Sequence, residues 1–127
     1  QLGFLAGQPV YVFDFWAQRL WRTTDTELVF PEIPAHGCRL LRLCAADTPA
    51  PALLGDTLHI TQGLEIAEWI AEPGRLTIST FPLGRVTHGA LWLRLPGGPG
   101  MIACNGEELE ASPVEEEVYR VEVTIKP

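Results

Sequence analysis

Glycine and proline interrupt this chain so often that a long helix has almost no room to form. The 127 residues include 12 Gly and 11 Pro, and few stretches of helix length lack one of them. Proline breaks a helix interior and glycine weakens it, so the chain must fold from short elements. Short apolar runs bounded by turn residues are typical of β-strands. We therefore expect an all-β protein.

The apolar runs predict an antiparallel β-sandwich of about 9–11 short strands, because turn signals recur roughly every 8–12 residues and no strand–helix alternation is visible. The segment 64–71 could also form one or two helical turns, but the turn pair Pro73-Gly74 favours a strand there. Asn105-Gly106 is a strong hairpin signal. Residues 46–51 are predicted to be a connector. We expect strands at 10–16, 20–23, 27–30, 37–45, 57–61, 64–71, 76–81, 89–95, 101–104, 107–110 and 117–126. The strand at 10–16 has two apolar faces, which predict a central strand or one covered on both sides, and the strand at 37–45 is expected to lie mid-sheet.

Length and composition are those of one globular domain spanning 1–127. Hydrophobic residues make up 46% and charged residues 20%, which is not the composition of a disordered chain. No apolar run approaches the length that spans a membrane. The sequence begins at Gln1 without an initiator Met or a signal-peptide pattern, so we expect a piece of a longer protein.

The charge pattern argues against nucleic-acid binding. The formal net charge is −7 and the only lysine is Lys126, whereas phosphate neutralisation needs clustered Lys and Arg. Acidic residues crowd the C-terminal fifth of the chain, and we interpret them as a solvated loop and sheet edge. They are Glu107, Glu108, Glu110, Glu115, Glu116 and Glu117.

The three cysteines, Cys38, Cys44 and Cys104, do not suggest a disulfide framework, since their number is odd. Cys38 and Cys44 are expected on one strand, about 20 Å apart, which is too far to bridge. We expect buried thiols that pack as small hydrophobic groups. Free thiols suit a reducing compartment and a cytoplasmic location.

Neither a metal site nor a cofactor site is indicated. His36, His59 and His88 lack the close pair spacing of metal ligands. His59 with Glu65 supplies only a fragment of a cupin-like site. His36 and Cys38 would share a strand face, but nothing near them supplies an oxyanion hole or an orienting acid, so a structural thiol is the favoured interpretation.

Paired carboxylates can hydrolyse glycosidic bonds. The candidates outside the acidic C-terminal run are Asp14, Asp25, Asp56 and Glu65. The sequence gives no reason to place any two across a cleft. We interpret them as turn and cap residues, and no catalytic residue is assigned.

Four tryptophans, Trp16, Trp21, Trp69 and Trp92, are numerous for this length. Exposed indole rings stack on sugars, so Trp92 and Trp69 are the candidate carbohydrate-binding residues. Core packing or a domain interface is the favoured alternative for the tryptophans. Trp92 alternates with leucines, and we expect it at a surface or a domain contact.

Three segments carry a family resemblance. Residues 34–43 read Pro-Ala-His-Gly-Cys-Arg-Leu-Leu-Arg-Leu, residues 12–16 read Val-Phe-Asp-Phe-Trp, and residues 54–63 read Leu-Gly-Asp-Thr-Leu-His-Ile-Thr-Gln-Gly. In order and spacing they resemble the C-terminal β-sandwich domain of melibiase-type α-galactosidases (glycoside hydrolase families 27 and 36). The resemblance is clear over residues 9–63, although Asp14-Phe15-Trp16 replaces the family's Asn-Trp pair.

The resemblance implies a non-catalytic accessory domain that packs against a separate (β/α)₈ catalytic barrel of the same parent chain and stabilises it. The catalytic aspartates of such enzymes lie on that barrel, so no catalytic residue can be transferred to this chain. An independent carbohydrate-binding module is the second hypothesis, and a small jelly-roll enzyme is the third. Neither nucleic acid nor a membrane is an expected partner.

Overall fold

A computed structural model describes residues 3–30 and 32–127 of the chain. This described part is all-β, with eleven strands and no helix, so the predicted fold class is confirmed. No helix within it is long and apolar enough to cross a membrane. Internal contacts divide the chain into two compact units, Gln1–Thr48 and Pro49–Pro127. The boundary falls inside the predicted connector 46–51.

Unit 1 contains a three-stranded antiparallel sheet of order β2-β1-β3. The strands are β1 (Val10–Asp14), β2 (Arg19–Thr23) and β3 (Leu41–Ala45). β1 is buried along its whole length, and Val12 and Phe13 are fully enclosed. Its two apolar faces predict a strand that is central or covered on both sides, and the sheet order shows that it is the central strand.

Two predictions in unit 1 are wrong. The strand predicted at 37–45 begins only at Leu41 and lies at the edge of the three-stranded sheet, not in its middle. A turn delays it, because Gly37 N donates to Pro34 O at 2.8 Å and His36 has a φ of 62°. Residues 27–30 form no strand; the Phe30 ring instead makes an edge contact with Trp21.

Unit 2 consists of two four-stranded sheets. One has the order β10-β11-β7-β4 and the other β5-β6-β8-β9. Every neighbouring pair is antiparallel except β6 and β8, whose parallel pairing the sequence did not predict. The strands are β4 (Ala52–Asp56), β5 (Ile66–Glu72), β6 (Arg75–Thr80), β7 (Thr87–Arg94), β8 (Met101–Cys104), β9 (Glu107–Leu109), β10 (Ala111–Glu115) and β11 (Val118–Ile125).

The core of unit 2 contains side chains from both of its sheets. β7 and β11 contribute the alternating apolar residues that their sequences predict to face inward, and β6 and β8 supply the opposing layer. The Asn105-Gly106 hairpin between β8 and β9 is confirmed, with φ angles of 50° and 84°. The central cluster includes Leu76, Ile78, Leu91, Leu93, Leu95, Ile102, Val121, Val123 and Ile125.

Unit 2 also tests the sequence interpretations of residues 57–61, of β10 and of the acidic run. The strand predicted at 57–61 is wrong, because the chain forms β4 before it and then a loop over 57–65. β10 was not predicted, since its sequence contains Ser112-Pro113. The acidic run does lie at sheet edges, because β9 and β10 are the edge strands of their sheets, and its residues are exposed apart from the half-buried Glu117.

Candidate functional site

The 57–65 loop in unit 2 is built around Asp56, the last residue of β4. The Asp56 side chain is fully buried, and its Oδ1 accepts hydrogen bonds from the backbone N–H groups of Leu58 at 2.9 Å and His59 at 3.3 Å. An aspartate that binds the backbone two and three residues ahead forces a tight turn. Asp56 therefore ends the strand and starts the loop.

Gln62 holds the loop closed from inside. Its Nε2 donates to Asp56 O at 2.7 Å and to His59 O at 3.1 Å, while its Oε1 accepts from Asp56 N at 3.2 Å. Gln62 is buried and has a φ of 54°. The Gln62 side chain alone thus satisfies three backbone groups, the N–H and carbonyl of Asp56 and the carbonyl of His59.

Glu65 completes the network at the far end of the loop. Its Oε2 accepts from the Thr61 hydroxyl and from Gly63 N, both at 3.1 Å. The Thr61 oxygen also lies 2.9 Å from Nδ1 of the exposed His59. Thr61 therefore links His59 to Glu65, the two residues that the sequence offered as part of a cupin-like metal site.

The second oxygens of the two buried acids, Asp56 Oδ2 and Glu65 Oε1, accept no hydrogen bond from any other group. Burial, a side-chain hydrogen bond with Glu65 and the charge of Glu65 raise the pKa of Asp56 to about 7, although the backbone N–H groups of His59 and Leu58 act in the opposite direction. The charge of one buried carboxyl group thus affects the protonation of the other.

This carboxyl pair lacks the arrangement for glycoside hydrolysis. Hydrolases hold their two carboxyl groups about 5–9.5 Å apart across a sugar-binding cleft. Asp56 and Glu65 instead are both buried, at 0% and 4% exposure, and their free oxygens are closed off from solvent. The interpretation of Asp56 as a turn residue is confirmed by its bonds to the loop backbone. Among residues 3–30 and 32–127, no three His, Cys, Asp or Glu side chains cluster as metal ligands.

The outer surface of the 57–65 loop carries two exposed apolar side chains beside the exposed His59 and Thr61. Ile60 is 47% exposed and Leu64 is 76% exposed. Phe81, also largely exposed, is tied to this loop by a hydrogen bond from its N–H to Glu65 O at 2.8 Å. We call Ile60, Leu64 and Phe81 the loop face. It presents apolar side chains on a backbone fixed by the buried network beneath.

A second feature is a groove in unit 1 with a volume of about 630 Å³. Trp21 and Phe30 supply its aromatic wall, with ring centroids 6.2 Å apart. The Arg39 guanidinium lies 5.5 Å from the Phe30 ring and pairs with the buried Asp14 carboxylate at 2.8 Å. The remaining lining comes from Arg19, Arg22, Thr23, Asp25, Glu27, Leu28, Val29 and Glu32.

The tryptophans chosen from the sequence do not lie on this groove. Trp92 is only 6% exposed, so its predicted place at a surface is wrong. It lies on an inner strand, β7, opposite Arg120, whose guanidinium lies 5.3 Å from its ring centroid. Trp69 is half-buried and packs against the core of unit 2. The groove residue Trp21 was missed because a local pattern cannot show which rings meet charged side chains from distant segments.

The predicted cysteine positions are partly wrong. Cys38 is exposed and precedes β3, so it shares no strand with Cys44, which is half-buried. Cys104 alone is buried, and that burial raises the pKa of its thiol. No disulfide joins any two of these cysteines. His36 lies in the turn before Cys38, and both side chains are exposed.

Comparison with known proteins finds no relative for this chain. No protein-family model matches it. Neither does any curated protein or any solved structure.

Proposed function

We propose that this chain is a non-catalytic accessory β domain of an α-galactosidase-like glycoside hydrolase, and that it packs against and stabilises a separate (β/α)₈ catalytic barrel. The resemblance over residues 9–63 and the all-β fold support this assignment. The observation that carries it is the 57–65 loop, which overlaps the segment 54–63 whose sequence resembles a family segment. Its buried polar groups bind the loop's own backbone, while Ile60 and Leu64 are exposed.

A loop of this form suits docking more than chemistry. Exposed Ile60, Leu64 and Phe81 gain from burial against a partner, at about 25 cal/mol for each Å² of apolar surface removed from water. The network of Asp56, Gln62 and Glu65 fixes the loop in advance, so little conformational entropy is lost on docking. The partner surface should accordingly be apolar.

The first test is the coding sequence upstream of Gln1. A long region of alternating strands and helices there supports the proposal, and a start codon close to Gln1 contradicts it.

If that region is present, its purified product should bind the 127-residue chain. Leu64→Glu on the loop face should weaken binding at least tenfold, whereas Val114→Glu, at an exposed site on the edge strand β10, should not. Hydrolysis of nitrophenyl-α-galactoside by this chain alone would overturn the assignment.

The groove in unit 1 favours a second candidate function, carbohydrate binding. Its lining combines an aromatic wall with three guanidinium groups and three carboxylates, which balance in charge. A neutral sugar suits such a lining, because its hydroxyl groups both donate and accept hydrogen bonds and its ring faces pack on aromatic side chains. A strongly charged ligand would be repelled by half of these groups.

Calorimetric titration with α-galactosides and plant oligosaccharides tests this second function. Saturable binding that Trp21→Ala abolishes supports it. Trp16→Ala is the matched control, because Trp16 is exposed but does not line the groove. Binding lost equally in both variants, or no binding across the panel, contradicts it.

A further inference from the structure

The buried oxygens Asp56 Oδ2 and Glu65 Oε1 have to be neutralised by something that lies between the two carboxyl groups. Two buried carboxylates in contact cannot both stay ionised without a counter-charge, since their repulsion and their loss of hydration act together. Among the described residues, these two oxygens are the buried side-chain polar atoms that lack a hydrogen-bond partner. The missing group is therefore either a proton or a cation.

A proton fits the site better than a metal ion. Calcium takes six to eight oxygen ligands, and magnesium keeps several of its own waters. Here two carboxyl groups are closed off from solvent, and no third acidic or histidine side chain joins them within the described residues. One proton, by contrast, converts the contact into a short O–H···O⁻ hydrogen bond without further ligands.

We propose that Asp56 and Glu65 share a single proton, and that this proton is a pH-dependent latch on the 57–65 loop. With the proton bound, each acid keeps its backbone partners and the loop stays closed. When the proton is lost, two negative charges face each other inside the protein. Solvating them requires the loop to open, which releases the N–H groups of Leu58, His59 and Gly63.

The remaining titratable and charged groups near the pair are few. His59 lies on the loop itself and reaches Glu65 only through Thr61. Arg85, from the adjoining 81–86 segment, lines a cavity with His59. His88 on β7, which pairs with β4, is bonded to Thr124 at 3.0 Å. None of these three groups donates a hydrogen bond to the unpartnered carboxyl oxygens.

The direction of the pH effect follows from the raised pKa of Asp56. Between its unfolded value of 3.8 and about 7, the folded chain keeps a proton that the unfolded chain has released. The stability that this proton contributes is complete at the acid end of that range. It falls as the pH rises through the range and levels off above pH 7.

Carbon-13 NMR titration of the whole 127-residue chain tests the shared proton directly. We expect the carboxyl carbon of Asp56 to show a step near pH 7. Exchange of the Leu58, His59 and Gly63 amide protons should accelerate about tenfold or more beyond the intrinsic rate between pH 5 and pH 8. Titration of Asp56 near its unfolded value of 3.8 would overturn the latch.

Two near-isosteric variants separate the latch from general stability. In Asp56→Asn or Glu65→Gln, an amide N–H replaces the shared proton, so the neutral-range step and the acceleration of amide exchange should disappear. Glu68→Gln, an exposed change on β5, removes the same charge and should keep both. If neither buried-site variant folds, the wild-type titration still decides the question.

Calcium supplies the remaining test. Calcium at 1 mM should leave the melting temperature and the carboxyl titration of the wild type unchanged. A rise in melting temperature that Asp56→Asn abolishes would show a cation site and contradict the shared proton. The latch lies beneath the loop face, but these measurements need no partner, so their outcome is independent of the docking proposal.

Discussion

Two loop segments, 34–40 in unit 1 and 57–65 in unit 2, are built in opposite ways. Both lie next to strands and both contain a histidine and a non-glycine residue with positive φ. In the 57–65 loop, buried Asp56, Gln62 and Glu65 satisfy the backbone. In 34–40, the side chains are exposed up to Arg39. The contacts there are the turn hydrogen bond to Pro34 O, a hydrogen bond from Phe15 N to Leu40 O, and the Arg39 side chain's contacts with Asp14 and Phe30.

The contrast shows where order in a loop comes from. A buried acceptor must be satisfied by particular donors, so the 57–65 backbone is tightly specified. Exposed backbone groups can bind water equally well, so 34–40 is held mainly by its ends. Substitutions should therefore cost much more in the first segment than in the second.

Gln62→Ala should give the largest effect. It removes three hydrogen bonds and leaves buried groups of Asp56 and His59 without partners, so we expect a loss of about 2–4 kcal/mol in the free energy of unfolding. Urea denaturation of the whole chain measures it. Gln62→Gly relieves the positive φ and should still lose most of this stability. A loss below about 0.5 kcal/mol in both variants would show that the amide does not hold the loop.

Gly89→Ala should weaken the same loop from β7. An added Cβ would lie 2.7 Å from Leu58 Cδ2 and 2.9 Å from Thr57 Oγ1. We expect about 1–3 kcal/mol of destabilisation from overpacking, with faster amide exchange at Leu58. Shortening the neighbour by Leu58→Val should reduce the cost of Gly89→Ala in a double-mutant cycle. Additive effects would mean that the two side chains do not compete for this space.

Arg39→Ala tests the sparse contacts of 34–40. Asp14 loses its ion-pair partner but still accepts a hydrogen bond from Ala17 N at 3.1 Å. Because Arg39 is partly exposed, the cost should be about 1–2 kcal/mol, below that of breaking a fully buried pair. Thermal denaturation measures the stability of Arg39→Ala against that of Arg22→Ala, which removes an exposed arginine that lines the same groove. Equal losses would show that the Asp14 pair adds nothing.

His36→Gly should have the smallest effect and the opposite sign. The φ of 62° strains a side chain that a glycine would not have. The added freedom of the unfolded chain offsets part of the relief, so we expect a gain below about 1 kcal/mol. Gly37→Ala should go the other way, since its Cβ would lie 2.8 Å from Pro34 O. A loss on His36→Gly would mean that the imidazole makes a stabilising contact.

Local pattern predicted much of the fold and less of the site. The strands of unit 2 from β5 onward lie near their predicted positions, apart from β10, because alternation and turn residues specify them within a few residues. The sequence named Asp56 and Glu65 only as separate acids. It had no means of showing that a nine-residue loop would bring their carboxyl groups together, and it placed Trp92 at a surface.

The sequence by itself determined that this protein is all-β, which faces of β7 and β11 turn inward, and where Asn105-Gly106 reverses direction. Those properties depend on backbone preference and on alternation between neighbouring residues. Only the tertiary structure decided that the chain forms two compact units, that β3 lies at a sheet edge and that Trp92 is buried. Those outcomes depend on which distant segments pack together, because a side chain is buried only when residues far away in the sequence cover it.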